Sequence, residues 1–204
     1  RAHSVKCDVS DSRQVDDMVS KVTDCLGEID ILVNNAGQVA VGPLVSLPEN
    51  NPADSASDWG LDKDMDDEVL ERLLGTNLAG TLYCCRAVGD QMIRRRAGKI
   101  INVGSSSSVI AIPYETAYAA SKAAVHMITK VLALEWGQFN INVNGINPGW
   151  FVTDLTRSGF DDSETANGRI AQLPLKRLTD TRDLGLLATY LASSASDWMT
   201  GQMI

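Results

Sequence analysis

Metal-binding side chains are scarce in this chain. It has two histidines, His3 and His126, and neither has a second ligand at metal-site spacing, so both read as ordinary polar positions. The four cysteines, Cys7, Cys25, Cys84 and Cys85, include no C-x-x-C pair, and adjacent cysteines rarely bridge each other. Reduced thiols in a cytoplasmic compartment are therefore expected, with no metal site. Long apolar runs are missing too. None reaches the ~18 residues of a membrane span, and Arg1 to Ser4 lack the apolar stretch of a signal peptide, so no membrane partner is expected. Basic runs are almost absent: 18 Lys and Arg stand against 26 Asp and Glu, for a formal net charge of −8. That balance excludes a nucleic-acid partner. The one basic triplet, Arg94–Arg96, reads as the last turn of a helix ahead of Gly98.

What is present is the pattern of one α/β domain. At 204 residues the chain can bury a sizeable core but not two independent ones. After a strand end at Val5-Lys6-Cys7, Val15, Met18, Val19, Val22 and Leu26 recur at spacings of three and four, the buried stripe of an amphipathic helix. Ser10 or Asp11 can cap its start and Gly27 its end. Ile29 to Val33 is a short apolar strand, and a long helical region runs from about Asp66 to Arg96. Strands at Lys99–Val103 and Ile141–Ile146 flank a strongly helical run from Thr116 to Trp136. Strands alternating with helices of this length predict a Rossmann-like, doubly wound parallel sheet with helices on both faces. Such sheets bind ligands at the carboxyl ends of their strands, where Asp8, Asn34, Ser105 and Pro148 fall.

Tyr118-Ala119-Ala120-Ser121-Lys122 places a phenol and an ammonium on one helix face, four residues apart. A lysine beside a tyrosine stabilises the phenolate and draws the phenol down from its usual pKa of about 10, which makes Tyr118 a candidate proton carrier. Ser105 ends the strand that starts at Lys99; Val33-Asn34-Asn35-Ala36-Gly37 ends another; Asn77 lies between them, and Asn147-Pro148-Gly149-Trp150-Phe151-Val152-Thr153-Asp154 follows a third. These elements in this order resemble the short-chain dehydrogenase/reductase family from about Cys7 to Gln202.

The resemblance implies an NAD- or NADP-dependent oxidoreductase that interconverts a secondary alcohol and a ketone, with a sugar or polyol as the small-molecule substrate. Tyr118 would be the acid/base, Lys122 would lower its pKa and hold the nicotinamide ribose, Ser105 would bond the substrate oxygen, and Asn77 would organise a water. Ser107 and Trp150 would face the substrate. Asp8 and Val9 would contact adenine, and Asn34, Ala36 and Gly37 would lie along the adenosine side and centre of the dinucleotide. Pro148, Gly149, Phe151 and Thr153 would bind the nicotinamide. A homodimer or homotetramer is implied, formed by the Asp66–Arg96 and Thr116–Trp136 helices, with Leu82, Val88 and Leu132 as contacts.

Two departures from the family qualify this. No glycine-rich turn precedes Asp8, and the chain stops at Ile204 where relatives continue into a strand, so a single domain (1–204) truncated at both ends is expected. The interval from Pro43 to Asn77 is longer than family members use, and residues 48–65 read as a surface-loop insertion. The charges that choose between NAD and NADP lie mostly ahead of Asp8. A catalytically silent fragment, or a nucleotide-sensing or scaffold protein on the same fold, is the competing expectation.

Overall fold

The computed structural model describes residues 2–46, 65–160 and 163–204. The expected insertion at 48–65 therefore lies, apart from Met65, outside the described residues.

Helix α1 (Ser12–Leu26) starts where the sequence allows a cap: the Asp11 side chain accepts from the Arg13 N–H, satisfying one of the donors a helix start leaves open. It stops at Gly27, which takes φ 91°, a backbone angle that side chains with a Cβ rarely adopt. Strand β1 (Ile31–Asn34) follows. Val5–Cys7, expected as a strand end, forms no strand. No described strand pairs with it, and an extended segment without a ladder partner has nothing to fix its backbone N–H and C=O groups.

The long helix expected from Asp66 to Arg96 is interrupted. It comprises α2 (Asp67–Leu74), a π-helical turn (Gly75–Ala79) and α3 (Gly80–Arg95). A π turn shifts the helical register by one residue and often marks a functional site. Here it presents Asn77. Helix α3 ends in the basic turn the sequence predicts, but the left-handed cap is Arg96 at φ 54°, not Gly98. Gly98 instead opens strand β2 (Gly98–Val103), because a Cβ there would press to 2.5 Å from Met92 Sδ. Helix α4 (Thr116–Trp136), strand β3 (Ile141–Ile146), helix α5 (Ser163–Gln172) and helix α6 (Thr181–Ala192) complete the order.

The described strands form one parallel sheet in the order β1-β2-β3, with Ile31 opposite Lys99 and Gly98 opposite Ile141. One face carries α3 and α4, whose Cys85, Val88, Met92 and Ala133 pack on Ile100, Ile141 and Val143. The other carries α6, whose Leu191 packs on Ile101 and Ile146. Each such fully buried aliphatic side chain contributes roughly 1.5–3 kcal/mol. The segment from Gly201 to Ile204 runs beside β3: Gly201 N donates to Val143 O at 2.7 Å, Gly145 N to Gln202 O at 2.8 Å and Ile204 N to Gly145 O at 3.1 Å. The outer edge is barer, with Ile31 and Val33 of β1 exposed by 43 % and 47 %.

The expected subunit contacts need correction. Val88 is 1 % exposed and belongs to the core, and Leu132 packs against the same cluster. Only Leu82 of the three is exposed, while Met127, Val131 and Leu134 on α4 are exposed without having been singled out. Alternate turns of α4 explain this: its core stripe runs through Val125, Thr129 and Ala133, which turns Met127, Val131 and Leu134 outward.

Candidate active site

The carboxyl ends of the strands are drawn together by backbone bonds. Gly104 N donates to Ile146 O at 2.8 Å and Ser106 N to Pro148 O at 3.0 Å, which places the turns after β2 and β3 side by side. The turn after β1 is tied to the loop before α4 through Gly42 N and Tyr114 O, 2.9 Å apart. Between these turns lies a cleft of about 730 Å³. Ser105, Tyr118 and Lys122 line it, with Ala36 and Gly37 on one side and Pro148, Gly149, Phe151 and Thr153 on another. Residues distant in sequence thus meet where a doubly wound sheet binds ligands.

Lys122 is buried, at 6 % exposure, and its Nζ donates to the Val103 carbonyl at 2.9 Å. It sits 5.9 Å from the centre of the Tyr118 ring. Burial disfavours the charged ammonium and lowers the lysine to about 8. The phenol behaves otherwise than the sequence suggests. Burial pushes Tyr118 above its ordinary value, a hydrogen bond with Ser105 opposes that rise, and the nearby Glu115 carboxylate adds to it. The Lys122 ammonium is aimed at a backbone carbonyl and is itself discouraged from ionising.

Asn77 lies beneath the cleft rather than in its wall. Its Oδ1 accepts from Gln38 N at 2.8 Å, and its Nδ2 donates to Gln38 O at 2.9 Å and Ser121 Oγ at 3.0 Å. The π turn releases the Asn77 carbonyl, which accepts from Thr81 Oγ1 at 2.8 Å. A Cβ added at Gly37 would stand 3.4 Å from both Asn77 Oδ1 and Lys122 Nζ, so glycine keeps the space over these two groups open. Gln38, which the sequence reading passed over, clamps the turn that follows β1.

Ser105 and Ser107 form a buried pair. Ser105 Oγ donates to Ser107 Oγ at 3.3 Å, and Ser107 N donates back to Ser105 Oγ at 3.2 Å. Ser107 is thus directed to its neighbours and does not line the cleft. Trp150 also lies outside the cleft lining; it packs edge-on to Phe160 with ring centres 6.0 Å apart, and the Arg169 guanidinium stands 5.0 Å over it.

The opposite end assembles differently. Asp8 is exposed and closes a turn on Ser10, accepting from its N–H at 2.9 Å and its hydroxyl at 2.7 Å. Those bonds stabilise the carboxylate and lower its pKa. Val9 packs close to Gly80, where a Cβ would meet its Cγ2 at 2.8 Å. Asn34 is buried, donating to Asn102 Oδ1 at 2.8 Å, and Asn102 donates on to Thr129 Oγ1 at 2.9 Å. Asp8, Val9 and Asn34 are therefore not brought into the cleft with the others. Asn34 instead starts a buried polar chain that pins β1 and β2 to α4.

Further residues escaped the sequence reading. Leu184, Gly185 and Ala188 of α6 line the cleft, and nothing in an ordinary amphipathic helix announces that. Glu115, 5 % exposed, is hydrogen-bonded to Ser107. Its only signal was an acidic residue three positions before the tyrosine, on the same helix face. Among the described residues no cluster of three His, Cys, Asp or Glu could hold a metal ion, and no helix is long and apolar enough to cross a membrane. All four cysteines are free, and burial raises Cys84 to about 11 and Cys85 to about 12.

A family model described as enoyl-(acyl carrier protein) reductase matches residues 1–204. Oxidoreductase UcpA of Salmonella typhimurium is 36 % identical over 208 residues, covering 98 % of this chain and 72 % of the relative. Gluconate 5-dehydrogenase of Gluconobacter oxydans is 33 % identical, over 100 % of this chain and 73 % of its own length. Among solved structures, a gluconate 5-dehydrogenase from Burkholderia cenocepacia in complex with NADP and tartrate superposes with a TM-score of 0.83 at 35 % identity, covering 97 % of this chain and 70 % of that one.

Proposed function

The chain belongs to the short-chain dehydrogenase/reductase family, and from that premise we propose that it interconverts a secondary alcohol and a ketone with NAD or NADP, Tyr118 carrying the proton. The observation that carries this reading is the convergence of Ser105, Tyr118 and Lys122, from two separate elements, on one cleft. Relatives that act on gluconate favour a polyhydroxylated substrate.

The cleft fits the nicotinamide half of a dinucleotide. A Cβ at Gly149 would meet nothing within 4 Å among the described residues, and the gap kept by Gly37 opens toward Lys122. Ala36, Gly37, Pro148, Gly149, Phe151 and Thr153 would hold that half; Asp8 and Val9 would serve the adenine end. When bound, the nicotinamide supplies a hydride acceptor or donor. The chain's own residues do the rest. Tyr118 holds and moves a proton at its phenolic oxygen, and Ser105 bonds the substrate oxygen as charge develops there. Lys122, with a pKa near working pH, exchanges protons readily, and Asn77 fixes the turn that shapes the gap over it.

Incubating the purified protein with D-gluconate or xylitol and either NAD+ or NADP+, and following reduced-nicotinamide absorbance, tests this. Turnover with one of the pairs is expected. Absence of turnover across a wider panel of secondary alcohols, in folded protein that binds dinucleotide, would reject it.

A further inference from the structure

We propose that Glu115 is a positioning residue for the reaction, acting through Ser107 to set the direction in which the Ser105 hydroxyl donates. The inference rests on the proposed oxidoreductase reading and adds a residue to it.

The placement of Glu115 is unusual for a helix start. It occupies the N-cap of α4, yet its side chain makes no capping bond, although satisfying an open N–H is what a side chain at that position ordinarily does. The preceding residue, Tyr114, takes φ 66°, a left-handed conformation uncommon outside glycine. The carboxyl is buried instead, bonded to Ser107, while its Oε2 is buried with no hydrogen-bond partner among the described residues. A buried carboxyl oxygen left so costs free energy unless it is protonated or recruited. Among the described residues, the charged and titratable groups that face Glu115 are Arg169 of α5, which favours its ionised form, and Tyr118 of its own helix.

Glu115, Ser107, Ser105 and Tyr118 thus form a continuous chain of polar groups. Each hydroxyl has one proton to give. When Glu115 is ionised it can only accept, so Ser107 donates to it and the Ser107 oxygen takes the Ser105 proton, as the 3.3 Å contact has it. The Ser105 proton is then directed at Ser107 and away from a substrate oxygen. When Glu115 is protonated it can donate to Ser107, whose proton turns toward Ser105, and the Ser105 hydroxyl is released to donate to a substrate carbonyl. Burial raises Glu115 above the ordinary carboxylate range, which brings this exchange closer to working pH. Ketone reduction is accordingly favoured on the acidic side of the Glu115 titration and falls as pH rises through it.

Glu115→Gln holds a neutral side chain of nearly the same shape that can donate to Ser107. In the full chain, with 5-keto-D-gluconate and NADPH as the probe or whichever pair the previous assay identifies, the parent's kcat/KM for reduction should show a limb in the acidic range that the variant lacks. The variant should stay at the parent's low-pH level. A cofactor-free measurement accompanies it: ultraviolet titration of the Tyr118 phenol, isolated by subtracting Tyr118→Phe, should shift to lower pH in Glu115→Gln because a neighbouring negative charge is gone. Should Glu115→Gln not fold, Ser107→Ala cuts the same chain from the other side and should also remove the acidic limb. An unchanged pH profile in the folded variant overturns the proposal, as does an unmoved phenol titration. If Tyr118→Phe keeps full turnover, the oxidoreductase mechanism itself has failed, which is a separate result.

Discussion

The Tyr118 end of the cleft and the Asp8 turn outside it are built on different principles. At the Tyr118 end the working side chains are buried and hydrogen-bonded: Lys122 to Val103 O, Asn77 to Gln38 and Ser121, Ser105 to Ser107. At the Asp8 turn the carboxylate is exposed and accepts from the Ser10 N–H and hydroxyl, while the Asp8 N–H donates to Gln14 Oε1 of α1. Burial at the first end shifts proton affinities, raising Tyr118 and lowering Lys122. At the second, exposure leaves charge where water can screen it.

The largest break in this comparison should come from Tyr118→Phe. It removes the hydroxyl proposed to carry the proton, and turnover is expected to fall by at least about a hundredfold, with dinucleotide binding retained in a fluorescence titration. Near-parental turnover would make the Tyr118 end as inert as the Asp8 turn.

Lys122→Met measures what burial does there. In the folded protein the ammonium loses its proton at about 8, against 10.5 for a free lysine. Between those values the unfolded chain binds more protons than the folded one, so this residue makes stability rise with pH across about 8 to 10.5, and imposes its full cost below 8. The methionine variant should be more stable than the parent at neutral pH by roughly 1–3 kcal/mol, less the lost bond to Val103 O. The difference should shrink as pH rises toward 10.5, read as Tm in a pH series. A difference independent of pH would show that the lysine is not discouraged from ionising.

Asp8→Ala should do least. It deletes an exposed turn and any bond to adenine, an effect of roughly 0.5–1.5 kcal/mol. That corresponds to about a two- to tenfold rise in KM for the dinucleotide with kcat unchanged. A large loss of kcat would contradict the division between the two ends.

Much of this molecule is legible in the sequence. Helix α4 keeps the bounds that its helical run announces, Thr116–Trp136, and β3 those of its β-branched run. Asp11 and Gly27 cap α1 as their types allow. Ser105, Tyr118 and Lys122 meet because strand and helix periodicity place them at the same end of one parallel sheet. The segments that misled are those whose state depends on a partner. Val5–Cys7 has strand character and no ladder. Asn77 sits in a helical run that looks continuous, yet the bonds to Gln38 and Ser121 belong to a π turn no local pattern shows. Val88 and Leu82 share one helix, and only packing tells that the first is core and the second surface.

The sequence by itself determined the alternation of strands and helices, the parallel sheet and the three side chains that meet in the cleft, because these follow from local periodicity and from spacing along single elements. The tertiary structure alone decided the protonation of that cluster. Whether Lys122 lowers the Tyr118 phenol depends on where its Nζ points and on how much water surrounds it. Whether Glu115 caps a helix or bonds Ser107 depends on the backbone turn at Tyr114. Desolvation and hydrogen bonding act across space between residues from different elements, and no order of letters along the chain encodes those distances.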